Sequence, residues 1–140
     1  MDGKWQVYSK DISTTEIDGK VIIILSGETL QQLKELIASN NTHEFYVSPE
    51  WRHLRAEVLR EQKNECQEHR KRGSYARANH VHHVNYLRNH PELALSKWYL
   101  DKLGILRRNL IAVCKDCHET VCHPERLRHA KLEPWPESWE

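Results

Sequence analysis

Two short pairs constrain this chain more than anything else in it. Cys66-x2-His69 and Cys114-x2-Cys117 each hold two metal-ligating side chains with two residues between them. That spacing lets a chain turn back on itself and present both ligands to one ion, and two such pairs close a tetrahedral zinc site. A fold containing them must bring residues 66–69 and 114–117 together. Between and beside the pairs lie His82-His83, Asn109 and His118. A closed zinc site has no use for these, so a second, open site with chemistry in it is the economical explanation.

The alternatives to zinc are weaker. The start of the chain, Met1-Asp2-Gly3-Lys4-Trp5, has no charged stretch followed by an apolar one, so no secretory signal is expected. No apolar run approaches the ~18 residues of a membrane span. A cytoplasmic, reducing setting follows as the expectation, in which four cysteines act as metal ligands more readily than as disulfides.

The formal net charge of +1 conceals a division. Residues 1–50 carry four Lys/Arg against eight Asp/Glu, whereas residues 51–131 carry seventeen against nine. A basic central segment is the electrostatic footprint of a nucleic-acid partner. Arg52 and Arg55, together with the cluster Arg70-Lys71-Arg72 beside the first ligand pair, are the candidate phosphate contacts.

Taken in order, residues 5–9 alternate weakly and residues 21–25 form a β-branched run, with Asp18-Gly19 as a hairpin signal between them. Ser26 can cap a helix over 28–38, with Leu30, Leu33, Leu36 and Ile37 on one stripe. This ββα-like segment, 1–44, is expected to form a small subdomain of structural or partner-binding role, with residues 40–42 as linker. Ser48-Pro49 opens a second helix, serine as cap and proline in the first turn. Its buried face is Trp51, Leu54 and Val58, with Leu59 beside them. Lys63-Asn64-Glu65 ends it and delivers Cys66. Residues 76–84 are read as one strand, 89–103 as an inserted helix with a core of Leu93, Leu95, Trp98, Tyr99 and Leu103, and 109–113 as the second strand. A helix then carries His118, a short one follows over 124–129, and an acidic Trp/Pro tail closes the chain at 132–140.

The ordered set Val81-His82-His83-Val84, Asn109-Leu110 and Cys114-x2-Cys117-His118 resembles the HNH endonucleases, whose fold is the ββα-metal finger. From Phe45 to about Arg128 the chain also resembles the small HNH nucleases of bacteriophages. The shared features are the tryptophan-led helix Trp51-Arg52-His53-Leu54-Arg55, the Cys66-Gln67-Glu68-His69 knuckle and the His90-Pro91-Glu92-Leu93 insert.

The resemblance implies an α+β fold, a ββα-metal core with a structural zinc site, occupying 45–131. It implies metal-dependent hydrolysis of DNA phosphodiester bonds. His83 would be the general base, His82 and His118 ligands of a catalytic divalent ion such as Mg²⁺ or Mn²⁺, and Asn109 the residue that pins the loop orienting His83. Zinc would sit on Cys66, His69, Cys114 and Cys117, with His118 in place of His69 as the variant arrangement. Implied partners are DNA and, for a phage-encoded protein in the host cytoplasm, packaging proteins. The alternative function is a non-catalytic zinc-finger module that only binds DNA.

The third catalytic ligand is where this chain departs from the pattern. Related fingers often place a histidine four residues after the one following CxxC; here that position is Cys122, and His123 comes next. At about 100° per residue, Cys122 lies near His118 on an α-helix and His123 points elsewhere. Magnesium, however, prefers oxygen, and thiolate selects softer metals. Pro124 pushes the residue before it out of the α region, so the helix should end near Cys122 and free His123. His123 is therefore the expected ligand, with Cys122 or water as the alternatives. His80, two residues before His82, is a further candidate by alternation.

Overall fold

The computed structural model describes residues 5–123. It opens with a β-hairpin, β1 (Ile12–Ile17) against β2 (Lys20–Leu25). The strands run antiparallel with Ile12 opposite Leu25 and Ile17 opposite Lys20. Asp18 and Gly19 form the two-residue turn, both at positive φ (51° and 76°), the conformation that matches the twist of the flanking strands. The first strand is not residues 5–9. Those residues run irregularly against the helix that follows: Trp5 Nε1 donates to the Thr29 carbonyl at 3.0 Å, and the Tyr8 amide donates to Thr29 Oγ1 at 3.0 Å. With a two-residue turn, the partner of β2 has to be the segment immediately before it.

Helix α1 (Gly27–Ala38) buries Leu33 and Ile37, with Leu30 and Leu36 packed at the edge of the same cluster. Ser26 holds the N-cap position but does not cap with its side chain; its hydroxyl donates to the Asp11 carbonyl at 3.1 Å. The capping group is the buried Asp11 carboxylate, whose Oδ2 accepts from the Thr29 amide (3.0 Å) and hydroxyl (2.9 Å). Gly27 makes room for it, since a Cβ there would collide with that carboxylate. Residues 40–42 turn the chain into the short α2 (His43–Tyr46). Then α3 (Pro49–Glu61) begins as expected, Ser48 Oγ accepting from the Trp51 amide.

Trp5, Leu25, Leu33, Ile37, Phe45, Trp51, Val58, Val81, Leu87 and Leu110 belong to one apolar cluster. The N-terminal hairpin and helix thus share their core with the remainder of the described chain.

After α3, Lys63 and Asn64 both take positive φ (59° and 55°), reversing the chain into Cys66 and α4 (Gln67–Lys71). The finger strands are β3 (His80–His83) and β6 (Leu110–Val113), antiparallel, with His83 opposite Leu110 and His82 opposite Ile111. β3 is shorter than residues 76–84, because the preceding stretch pairs with the approach to Cys66: the Cys66 amide donates to the Ala76 carbonyl, and the Ala78 amide to that of Asn64.

Residues 89–103 are not a helix. They form a single 3-10 turn (Pro91–Leu93), then β4 (Trp98–Leu100), which pairs with β5 (Leu106–Arg108). Two local features override the helical spacing. Asp101 Oδ1 accepts from the Leu103 and Ile105 amides at 2.9 Å each, folding the chain into a tight turn with Gly104 at φ 78°. At the base of the hairpin the Asn109 amide donates to the Lys97 carbonyl at 2.7 Å. Leu103, expected in the core, is 82% exposed at the tip.

Beyond β6 come α5 (Lys115–Cys117) and a π-helical turn (His118–Cys122). The helix expected at 124–129 and the tail at 132–140 lie outside the described residues. Among the described residues no helix is long and apolar enough to cross a membrane.

Candidate active site

The two ligand pairs do converge. His69 Nδ1 lies 3.4 Å from Cys66 Sγ, 3.3 Å from Cys117 Sγ and 3.7 Å from Cys114 Sγ. With zinc–sulfur and zinc–nitrogen bonds of ~2.3 and ~2.0 Å, the nitrogen–sulfur edges of a tetrahedron come to roughly 3.5 Å. The four groups therefore fit a zinc ion, and all four cysteines of the chain are free thiols. His69, not His118, completes this set.

His118 belongs to a second cluster. The ligand nitrogens of His82, His118 and His123 all lie within 4.8 Å of one another, and each residue is buried, at 4%, 2% and 1% exposure. Their ring centroids stand 4.8–5.3 Å apart. Three imidazole nitrogens this close fit a shared cation, each offering the lone pair of a neutral ring. His80 stays outside the set. Its ring stacks on His118 at 5.5 Å, and its Nδ1 pairs with Asn79 Oδ1 at 2.8 Å.

The π-turn explains how His123 arrives. In an α-helix a spacing of five misses the face by about 140°; the wider i→i+5 turn narrows that offset, and His123, at φ −131° and ψ 60°, then leaves the helix. The turn ends at Cys122, as expected from Pro124, and its last residues are wound as a π-turn, which the sequence did not indicate. Cys122 then packs beside the knuckle with Cys66, Val113 and Cys117. Burial, reinforced by nearby Glu68, pushes its thiol up to about 12.

His83 faces the other way, as adjacent strand residues must. It is fully buried, stacked on the Trp51 ring (centroids 4.8 Å apart, planes 21°) and beside Phe45 at 6.0 Å. Its Nε2 lies 3.0 Å from the Ala94 carbonyl oxygen. A carbonyl only accepts, so Nε2 must carry the proton and Nδ1 the lone pair. Among the described residues Nδ1 has no hydrogen-bond partner. Burial pushes the ring down to about 4, against the opposing pull of the Ala94 carbonyl, so it is neutral at physiological pH.

Asn109 is also fully buried, and its side chain is saturated. Nδ2 donates to the carbonyls of Leu93 (3.1 Å) and Ser96 (2.9 Å), while Oδ1 accepts from the Asn85 amide (3.0 Å) and Nδ2 (2.8 Å). It grips both flanks of Ala94 and the chain just after His83. Ser96 extends the brace: its Oγ donates to the Trp98 carbonyl at 2.6 Å and accepts from the Ile23 amide of β2 at 3.0 Å. Asn85, Ala94 and Ser96 were not singled out from the sequence, where nothing distinguishes them from ordinary loop residues.

The candidate phosphate contacts are largely engaged within the protein. Arg55 donates to the Asn79 carbonyl, Arg70 pairs with Glu65, Lys71 with Glu68, and Arg72 Nη2 reaches Cys117 Sγ at 3.6 Å. Arg52 is exposed on α3.

The fold has a counterpart among solved structures. The structure is similar to the crystal structure of the HNH endonuclease of deep-sea thermophilic bacteriophage GVE2 with manganese ion, with a TM-score of 0.51 and 25% identity. The match covers 69% of this chain and 92% of that one. No family model matches the chain, and no curated protein does. The fold is of the HNH endonuclease type.

Proposed function

We propose that this chain is a metal-dependent DNA endonuclease in which His83 is the general base. One observation carries the reading: the dipeptide His82-His83 divides its two rings between a cluster of three imidazoles and an isolated base with a bare Nδ1. A module that only bound DNA would have no need of that division.

His83 Nδ1 takes the proton from an attacking water, and the Ala94 carbonyl steadies the ring as it becomes positive. Asn109 holds Ala94 in place from both sides and so fixes the direction of the lone pair. Water oxygen bonds to phosphorus as the phosphorus–oxygen bond to the 3′ leaving group breaks. Because His83 is enclosed, seating the substrate must admit that water to Nδ1. His82, His118 and His123 would hold a divalent ion, which would supply Lewis-acid charge at the scissile phosphate. Three nitrogen donors suit a first-row transition ion better than Mg²⁺, which prefers oxygen, and Mn²⁺ is the ion to try first because the similar phage structure holds manganese. Zinc on Cys66, His69, Cys114 and Cys117 ties α4 to the end of β6 as a structural site.

DNA is the proposed substrate, with Arg52, Arg55 and the 70–72 cluster on its backbone. The likeness to a phage enzyme extends the proposal to processing of phage DNA, with packaging proteins as partners. Plasmid nicking by the zinc-loaded protein, run separately with Mn²⁺ and Mg²⁺, tests the activity. Cleavage that is stronger with Mn²⁺ is expected. Binding of the plasmid without cleavage under any divalent ion would make the chain a non-catalytic DNA-binding module.

A further inference from the structure

The turn His118–Cys122 can be wound in two ways, and they offer the metal cluster different atoms. Wound as an α-helix, position 122 follows His118 on the same face and a thiol joins His82. Wound as observed, position 123 takes that place and a third imidazole joins instead. The α winding is the commoner for a polypeptide, so something must hold the wider turn.

The group in position to do so is Tyr86. Its hydroxyl donates to the Cys122 carbonyl at 2.5 Å, satisfying an acceptor at the C-terminal end of the turn, where helical carbonyls run out of partners. Its ring packs on His123 (centroids 4.4 Å, planes 40°) and meets His82 edge-on at 5.7 Å. His123 itself has left the helix, at φ −131° and ψ 60°. The phenol is delivered from a rigid mount. Asn85 before it is bonded twice to Asn109, Leu87 after it is fully buried, and its own carbonyl accepts from the amides of Asn89 and His90.

We propose that Tyr86 determines which residue completes the metal cluster, holding the turn in the register that presents His123 and turns Cys122 away toward the zinc knuckle. Tyr86 is a positioning residue, and its effect is on metal identity: it keeps the site all-nitrogen, and without it a softer, sulfur-containing site results. The inference rests on the reading of His82, His118 and His123 as a metal site.

The test uses full-length, zinc-loaded protein. Mn²⁺ affinity is measured by the loss of the free-ion electron paramagnetic resonance signal, and Co²⁺ is then added as a reporter of thiolate ligation through its near-ultraviolet charge-transfer band. The wild type should bind one Mn²⁺ and lose it in His118→Ala. Failure there would sink the metal-site reading itself, and this proposal with it, before Tyr86 is touched. Tyr86→Phe keeps the ring and removes one hydrogen bond, which corresponds to about five- to tenfold weaker Mn²⁺ binding. The thermal midpoint should fall by no more than a few degrees, with zinc content unchanged. Co²⁺ added to Tyr86→Phe should show a thiolate band that the wild type lacks and that Tyr86→Phe with Cys122→Ser loses again. Unchanged Mn²⁺ affinity in Tyr86→Phe, or weakened affinity with no thiolate band, overturns the proposal.

Discussion

The knuckle and the imidazole cluster lie on neighbouring parts of the same finger and are built on opposite plans. The knuckle takes its ligands from two short motifs, each coupled to the first turn of a helix, and His69 and Cys114 remain partly exposed. The imidazole cluster takes one ligand from β3 and two from a turn beyond β6, and all three are buried. In the first, local spacing makes the site and the site organises the fold. In the second, the fold must already exist, down to the winding of a single turn, before the ligands meet. A site of the first kind should be inseparable from stability, and one of the second kind separable from it.

The largest expected effect tests that asymmetry directly. Cys114→Ser should cost zinc and the fold together, since structural zinc contributes on the order of 10 kcal/mol to small metal-bound domains. His118→Ala should leave the protein folded and zinc-loaded while removing Mn²⁺. Circular dichroism with metal analysis reads both, and a folded, zinc-free Cys114→Ser protein would erase the distinction. A smaller effect is expected at the base. His83→Ala should slow cleavage by ~10²–10⁴-fold with Mn²⁺ affinity intact. It also leaves a cavity beside Trp51, so stability should fall by about 2–4 kcal/mol, and rates must be compared per folded molecule. Wild-type cleavage by this variant would move the base elsewhere.

The smallest effect belongs to a residue remote from both clusters. Hydrogen bonds from the Thr29 amide and hydroxyl hold the Asp11 carboxyl below its ordinary value, more than offsetting its burial. A depressed carboxyl stabilises the fold above its unfolded pKa and loses that contribution as pH falls through the folded one. The thermal midpoint of the wild type should therefore decline below about pH 4 more steeply than that of Asp11→Asn, with zinc content identical in the two. Equal slopes would mean that Asp11 titrates as it does in the unfolded chain.

What could be read from the sequence follows the same division. The knuckle, the Asp18-Gly19 turn and the Ser48-Pro49 helix start are written in residues a few positions apart. His82, His83 and Asn109 were visible only as a pattern, and their opposed directions came from strand alternation. That the turn ends at Cys122 was legible from Pro124; its π winding was not, because an assumed 100° per residue has no place for a turn whose hold comes from Tyr86. The segment 89–103 misled for a related reason. Its apolar spacing suits a helix, yet Asp101 and the Lys97–Asn109 contact fold it as a hairpin. The candidate phosphate contacts could be named from the sequence, and only the structure shows most of them turned to partners of their own.

The hydrogen bond from Ile23 to Ser96 joins positions 73 apart in the chain. It also sets a schedule. A growing chain extends by about 5–20 residues per second, so β2 waits roughly 4–15 s for the loop it braces, and longer for Asn109 and His123. Until those arrive, His83 has no fixed lone pair and its neighbour no companions. On the proposed reading, the site that would cut DNA is thereby unassembled until the early and late parts of the described chain have found each other.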